Sequence, residues 1–285
     1  MTQQIKSIAV IGAGTMGLGI AQVAAMNGFT CMLFDISTAM LEKAAKQIEK
    51  NLNKAIEIGK LDEAGKAATL KNLSYVEKLE DCKADLIVEA VVEKLDVKLS
   101  IFRKLEEINH EHCIMATNTS SIPITQIGAG LSRPQNLVGM HFFNPAHIMK
   151  LVEVISGAAT DEQVANTIYE LALKLGKTPV MAKDAPGFIV NRVARHFYVE
   201  SLKVLEENVA SHESIDRLME ASGFKMGPFR LMDLIGVDTN FSVTTSMFNS
   251  FYQDSKFRPS RIQQQKVDAG FHGRKSGKGF YTYEK

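Results

Sequence analysis

Two residues stand out by their isolation. His141 is the single polar side chain in LVGMHFF at 137–143, and Glu153, twelve residues further on, is the single one in LVEVI at 151–155. Neither an imidazole nor a carboxylate can be buried without a hydrogen-bond partner. Pairing them meets both needs: the carboxylate would fix the ring's tautomer and orientation and stabilise its protonated form. Such a dyad is the general base required to take a proton from an alcohol while a hydride leaves its carbon. The spacing alone fits equally a satisfied core histidine and an unrelated edge glutamate. Two more polar groups have comparable settings, Ser120 in NTSS at 118–121 and Asn191 in APGFIVNR at 185–192. Each could bind a substrate oxygen, and each could equally be a cap or turn residue.

Hydride chemistry needs a carrier, and SIAVIGAGTMGLG at 7–19 offers a place for one. Ile8, Ala9, Val10 and Ile11 suit a strand buried on both faces of a parallel sheet. Gly12, Gly14 and Gly17 follow as G-x-G-x-x-G: the first for a tight turn, the second for close approach to a pyrophosphate, the third for helix packing. A helix over 15–27 would turn Ile20, Val23, Ala24 and Met26 inward and aim its first N–H groups, at Thr15 and Met16, toward phosphates. A second strand over 30–34 ends in Asp35, eighteen residues after the third glycine. That carboxylate could accept both hydrogen bonds from an adenosine ribose and repel the 2′-phosphate of NADP. A structural glycine turn with a surface aspartate is the alternative. The strand before and the helix after favour an NAD-binding Rossmann unit.

The elements that must position these groups follow in regular alternation. Ser37 is a plausible N-cap for a long helix with Met40, Leu41, Ala44, Ile48, Leu52 and Ile56 on its apolar stripe. Lys43, Lys46, Lys50, Asn53 and Lys54 share the other face, as a solvated surface or as contacts for a phosphorylated substrate tail. Strands are predicted over 73–76, 85–92, 113–117, 137–143, 151–155 and 178–181, with helices over 93–109 and 161–175 among them. This pattern implies a doubly wound α/β sheet, with ligands beyond the carboxyl ends of its strands. Glu93 and the 118–121 segment both lie at such ends. After Asp184-Ala185-Pro186-Gly187 the β pattern stops, so the chain divides into a Rossmann domain over 1–184 and an all-helical domain over 185–285. Helices are predicted there over 188–207, 212–221, 229–252 and 260–268.

Composition narrows the function. The 285 residues carry a formal net charge of +1 and are 45% hydrophobic, ordinary for a soluble chain of two domains. No basic cluster is interleaved with aromatics and no apolar run reaches the ~18 residues of a membrane span, so neither nucleic acid nor membrane is an implied partner. The segment 1–6 is too short for a signal or transit peptide. Cys31, Cys82 and Cys113 lie far apart and suit buried thiols in a reducing compartment, with the cytoplasm as the default. His110, His112, His147, His196, His212 and His272 show no metal-ligand spacing, and no metal is expected.

The combination of VIGAGTMG, NTSS at 118–121, HFFNP at 141–145, MKLVEV at 149–154, APGFIVNR at 185–192 and GRKSGKGFY at 273–281 closely resembles the L-3-hydroxyacyl-CoA dehydrogenases of 3-hydroxybutyryl-CoA type. The resemblance covers essentially the whole chain. It implies reversible NAD-linked interconversion of 3-hydroxyacyl-CoA and 3-oxoacyl-CoA, and a homodimer formed through the helical domain. It implies His141 as catalytic base, Glu153 as the carboxylate that orients it, and Ser120 and Asn191 as substrate-oxygen contacts, with Ser120 also near the nicotinamide. Asp35 is implied as the ribose-binding acid, and Glu93, Lys98, Asn144 and Lys275 as further cofactor contacts. Lys50, Asn51 and Lys54 are candidates for the CoA tail.

Ala146-His147 stand where many butyryl-type relatives carry a second proline. With IVNRVAR and GFKMGPFRLMDLIG, this is similar to the branch of 3-hydroxyadipyl-CoA dehydrogenases of phenylacetate breakdown, and it leaves the acyl chain open. Two other readings remain. One is a dehydrogenase of free β-hydroxyacids, such as L-gulonate, using Arg192 or Arg195 to bind a carboxylate. The other is a crystallin-like protein that keeps the fold without the activity.

Overall fold

The computed structural model describes residues 4–284; the first three residues of the 1–6 segment lie outside that range. One compact unit ends at Ala185 and the other begins at Pro186. In the first, β1 (Ser7–Ile11), α1 (Thr15–Met26), β2 (Thr30–Phe34), α2 (Thr38–Glu57), α3 (Glu63–Lys71) and β3 (Leu73–Val76) build one half of a sheet. The other half comprises β4 (Leu86–Glu89), α4 (Leu95–Ile108), β5 (Ile114–Thr117), α5 (Ile124–Gly128), β6 (Leu137–Phe142), β7 (Leu151–Ser156), α6 (Glu162–Lys174) and β8 (Thr178–Lys183). The strand order is β3-β2-β1-β4-β5-β6-β7-β8, so the chain returns to the middle after β3 and a crevice opens between β1 and β4.

Local chemistry sets these elements. Ser37 caps α2 by accepting from the Met40 N–H, and Leu41, Ala44, Ile48 and Leu52 bury the predicted stripe. Helix α1 has almost no polar face because Gly19, Ile20, Ala21, Val23, Ala24 and Ala25 are all enclosed. Met26 is the exception: it closes the last turn at 39% exposure instead of facing inward. The strand expected over 85–92 stops at Glu89, and Val92 is 60% exposed, because Glu89 turns its carboxylate back onto the Val91 N–H at 2.8 Å.

The sheet departs from the all-parallel pattern at one pairing. Only residues 143–150 separate β6 from β7, too few for the helical crossover that a parallel pair needs. The two strands therefore run antiparallel, while β7 and β8, joined through α6, are parallel. Glu153 thus sits on an interior strand rather than at an edge. The register sets Gly139 against Ile155, His141 against Glu153 and Phe142 against Val152.

The second unit contains α7 (Val190–Glu206), α8 (His212–Ala221), α9 (Pro228–Ile235), α10 (Val237–Ser250) and α11 (Arg261–Asp268). The helix predicted over 229–252 is two helices, broken at Gly236, whose φ of +107° is left-handed and closed to most L side chains. The helix expected from 188 begins at Val190, since Phe188 has φ +49°. Tyr198, Leu202, Ile215, Phe229, Met232 and Phe280 form its core. The GRKSGKGFY segment folds onto the buried carboxylate of Asp233, which accepts from Phe280 N, Tyr281 N and the Tyr283 hydroxyl, each at 2.9 Å. A Cβ at Gly279 would lie 2.0 Å from Asp233 Oδ1, so this motif is spelled in glycine for close approach.

Candidate active site

The antiparallel register performs what the spacing alone left open. Directly opposed residues on neighbouring strands project to the same face, and His141 Nδ1 lies 2.7 Å from Glu153 Oε2. Both residues are buried, at 4% and 1% exposure. A carboxylate can only accept, so Nδ1 carries the proton and the neutral ring presents Nε2 as a base. Ser120 Oγ stands 3.2 Å from that Nε2. Phe143 packs against the imidazole with ring centroids 4.6 Å apart.

Ser120 is held by a turn at the carboxyl end of β5. Asn118 Oδ1 accepts from Phe142 N at 2.8 Å, tying the turn to the end of β6. Glu93 Oε1 accepts from Thr119 Oγ1 at 2.6 Å and from the N–H groups of Ser120 and Ser121 at 3.0 and 3.1 Å. Burial works to raise the Glu93 carboxyl, but the Lys98 ammonium and these donors outweigh it and hold it below its ordinary value. Asn144, just past β6, is exposed. The segment after it is pinned by the buried Lys177, whose Nζ donates to Ala146 O at 2.5 Å and Met149 O at 2.8 Å. Burial, then the charge of Lys150, brings Lys177 down to about 8.

The glycine turn meets the demands of a dinucleotide. Gly12 has φ +103°, and a Cβ on Gly17 would lie 1.7 Å from Gly12 O, so both must be glycine for the turn to close on α1. A Cβ on Gly14 would instead point into open space, the room a pyrophosphate needs. A cavity of about 340 Å³ opens beside it, lined by Gly12, Phe34, Asp35, Ile36, Met40, Val91 and Ile101 among others. Apolar walls with one carboxylate suit an adenosine. Asp35 also braces the turn, accepting from Ala13 N at 2.9 Å and Ser37 N at 3.0 Å.

Other predicted positions are placed as follows. Lys98 is 1% exposed, and its ammonium is paired with Glu89 and Glu93. Asn51 bonds Gln22 and Gln47, Lys54 forms an exposed pair with Glu57, and Lys50 is exposed beside them on α2. In the second unit, Asn191 lies in the first turn of α7 and its Oδ1 accepts from Arg195 Nη2 at 3.2 Å. That contact leaves the amide N–H groups of Asn191 to face another acceptor. Arg195 is 3% exposed, and its guanidinium also donates to Asn240 O and Thr244 Oγ1, each at 3.2 Å. Lys275 pairs with Asp238 at 2.7 Å. Glu89 was missed in the sequence, although it carried the same signal as His141, one ionisable residue inside an apolar strand.

Comparison with known proteins agrees with this geometry. Residues 7–185 match the family described as "3-hydroxyacyl-CoA dehydrogenase, NAD binding domain", and residues 187–283 match its C-terminal domain. The chain belongs to the 3-hydroxyacyl-CoA dehydrogenase family. NAD is the cofactor of this family's first domain, and Gly12, Gly14, Gly17 and Asp35 fit it. A family member named 3-hydroxyadipyl-CoA dehydrogenase, from Escherichia coli (strain K12), is 47% identical over 99% of the chain. The chain spans 60% of that relative's length. A probable 3-hydroxybutyryl-CoA dehydrogenase of Bacillus subtilis is 43% identical, covering 99% of this chain and 98% of its own. The crystal structure of (S)-3-hydroxybutyryl-CoA dehydrogenase from Ralstonia eutropha superimposes with a TM-score of 0.94 at 39% identity, over 99% of this chain and 100% of that one.

Proposed function

We propose that this protein interconverts (S)-3-hydroxyacyl-CoA and 3-oxoacyl-CoA with NAD, on short acyl chains of the 3-hydroxybutyryl type. The observation that carries the reading is the buried 2.7 Å contact between His141 and Glu153, with Nε2 turned to Ser120 Oγ. In oxidation, Nε2 takes the proton of the substrate hydroxyl; Glu153 holds the Nδ1 proton and stabilises the imidazolium that forms. In reduction the same nitrogen returns the proton to the oxygen. Ser120 binds that oxygen, Asn191 is a further substrate-oxygen contact in this reading, and Asp35 reads the ribose. Bound NAD supplies the hydride acceptor. Asn144 and Lys275 are further cofactor contacts in this reading, and Lys50, Asn51 and Lys54 offer a polar surface to the CoA tail. A six-carbon chain ending in a carboxylate is the second reading, favoured by the 3-hydroxyadipyl relative.

The assay is NADH oxidation against acetoacetyl-CoA, free acetoacetate and a 3-oxoadipyl thioester. Turnover of the thioesters alone supports the reading, and turnover of the free acid alone would sink it. The dimer belongs to the same proposal: Val193, Val209, Leu218, Phe224 and Tyr252 of the second unit are all at least half exposed, an apolar surface suited to a second copy. Sedimentation should give twice the 31.4 kDa chain mass at micromolar concentration, and a monomer alone would contradict it. The three buried thiols, each pushed up to about 12 by burial, fit a cytoplasmic enzyme. Among the described residues no helix is long and apolar enough to cross a membrane.

A further inference from the structure

One buried cation has no part in the proton transfer. Arg195, one turn along α7 from Asn191, is 3% exposed, yet among the described residues no carboxylate pairs with it. A guanidinium has five N–H donors. Its contacts are Nη1 to Asn240 O and Thr244 Oγ1 on α10, and Nη2 to Asn191 Oδ1, each at 3.2 Å and each to a neutral oxygen. Nε is enclosed with them and has no hydrogen-bond partner. Burial lowers the group to about 10 against the opposing effect of Tyr198, which leaves it charged at neutral pH. A buried charge is costly unless it is paired. Arg192, exposed in the first turn of the same helix, is under no such demand.

We propose that Arg195 is a specificity-determining residue: the edge of its guanidinium shared by Nε and Nη2 receives the carboxylate at the far end of a dicarboxylic acyl chain, as in a 3-hydroxyadipyl thioester. That edge carries parallel N–H groups, the fork that matches the two oxygens of a carboxylate. The neutral contacts from α10 hold the guanidinium in place without satisfying its charge. Residues four apart on a helix are neighbours, with Cβ atoms ~5–6 Å apart, and Asn191 is a substrate-oxygen contact in the reading above. An oxygen on C3 at Asn191 and a carboxylate on C6 at Arg195 span a comparable distance. A four-carbon chain without the carboxylate would leave the cation unpaired. The inference rests on the dehydrogenase reading above and selects, within it, the six-carbon dicarboxylic chain.

The test assays wild type, Arg195→Met and Arg195→Lys with NADH against 3-oxoadipyl-CoA, acetoacetyl-CoA and 3-oxohexanoyl-CoA, the last equal in length to the first but lacking the carboxylate. Wild type should favour the adipyl over the hexanoyl thioester by roughly ten- to a hundredfold in kcat/KM. Arg195→Met should erase that preference. Any loss that acts through the Asn191 amide falls on all three thioesters alike and cancels in the ratio. Arg195→Lys keeps the charge without the fork and should retain only part of the preference; it decides the matter if Arg195→Met does not fold. No preference in wild type, or one that survives undiminished in the folded variants, would overturn the proposal and leave the dehydrogenase reading standing. A wild type inert toward every thioester would instead overturn that reading.

Discussion

At the scale of single residues, the proposed mechanism gives one proton one home: Glu153 holds it on Nδ1 of His141, and Nε2 is the nitrogen assigned to the chemistry. Glu153→Gln keeps the shape and removes the anion, so the imidazolium loses its stabilising partner and gives up its proton at lower pH. Reduction needs the imidazolium, and its activity should therefore be lost at lower pH than in wild type. Oxidation needs the neutral ring, and its acidic limb should move down as well. Parallel pH–rate profiles in both directions check this, and two unmoved profiles would make the pair structural. In the second unit, Arg195 donates to Asn191 Oδ1, so Arg195→Met should release the amide to flip. The expected loss is about tenfold in kcat/KM for the thioester with NADH affinity unchanged, read by steady-state kinetics.

At the scale of elements, the proposed reading assigns cofactor choice to the β1–turn–α1–β2 unit. Asp35 closes the cavity beside Gly14 while its oxygens brace the turn. A 2′-phosphate there meets a carboxylate and leaves hydrogen bonds unmade, a penalty of roughly 2–4 kcal/mol. NADH should be preferred over NADPH by about ten- to a thousandfold in kcat/KM, and equal use would contradict the assignment. This unit was legible in the sequence because every part of it is local: apolar run, three glycines, helix, strand, acid. His141 and Glu153 were legible as isolated polar residues whose pairing the spacing left open and the resemblance implied. Their contact depends on β7 running antiparallel to β6, and only the shortness of the 143–150 link hints at that. The break at Gly236 was hidden because α9 and α10 continue one apolar pattern across it. The Lys98–Glu89 pair was hidden for another reason: the resemblance implied Lys98 as a cofactor contact, and only the fold brings the end of β4 against that lysine.

At the scale of the whole molecule, the second unit carries its own electrostatic weak point. Tyr283 donates to the buried Asp233 at 2.9 Å. Burial first, then that bond and the aspartate's charge, push the phenol from its ordinary 10.0 up to about 12. Tyr281, bonded to Asp216, moves the same way. A phenol raised on folding contributes stability that is complete below pH 10 and is lost as pH climbs toward 12, because the folded chain then holds the proton that the unfolded chain releases. Urea unfolding followed from pH 8 to 11.5 should show this decline, and Tyr283→Phe should flatten it at the expense of lower stability at pH 8. Asp233→Ala strands two backbone N–H groups and a hydroxyl, and should cost about 2–4 kcal/mol by the same measurement.

The most direct test of the central claim is His141→Ala, assayed with acetoacetyl-CoA while NADH affinity is titrated separately. Proton transfer through Nε2 predicts a fall in kcat on the order of 10²–10⁴ with NADH binding kept within about threefold. A variant that reduces the thioester at the wild-type rate, or loses activity only because NADH no longer binds, would contradict it.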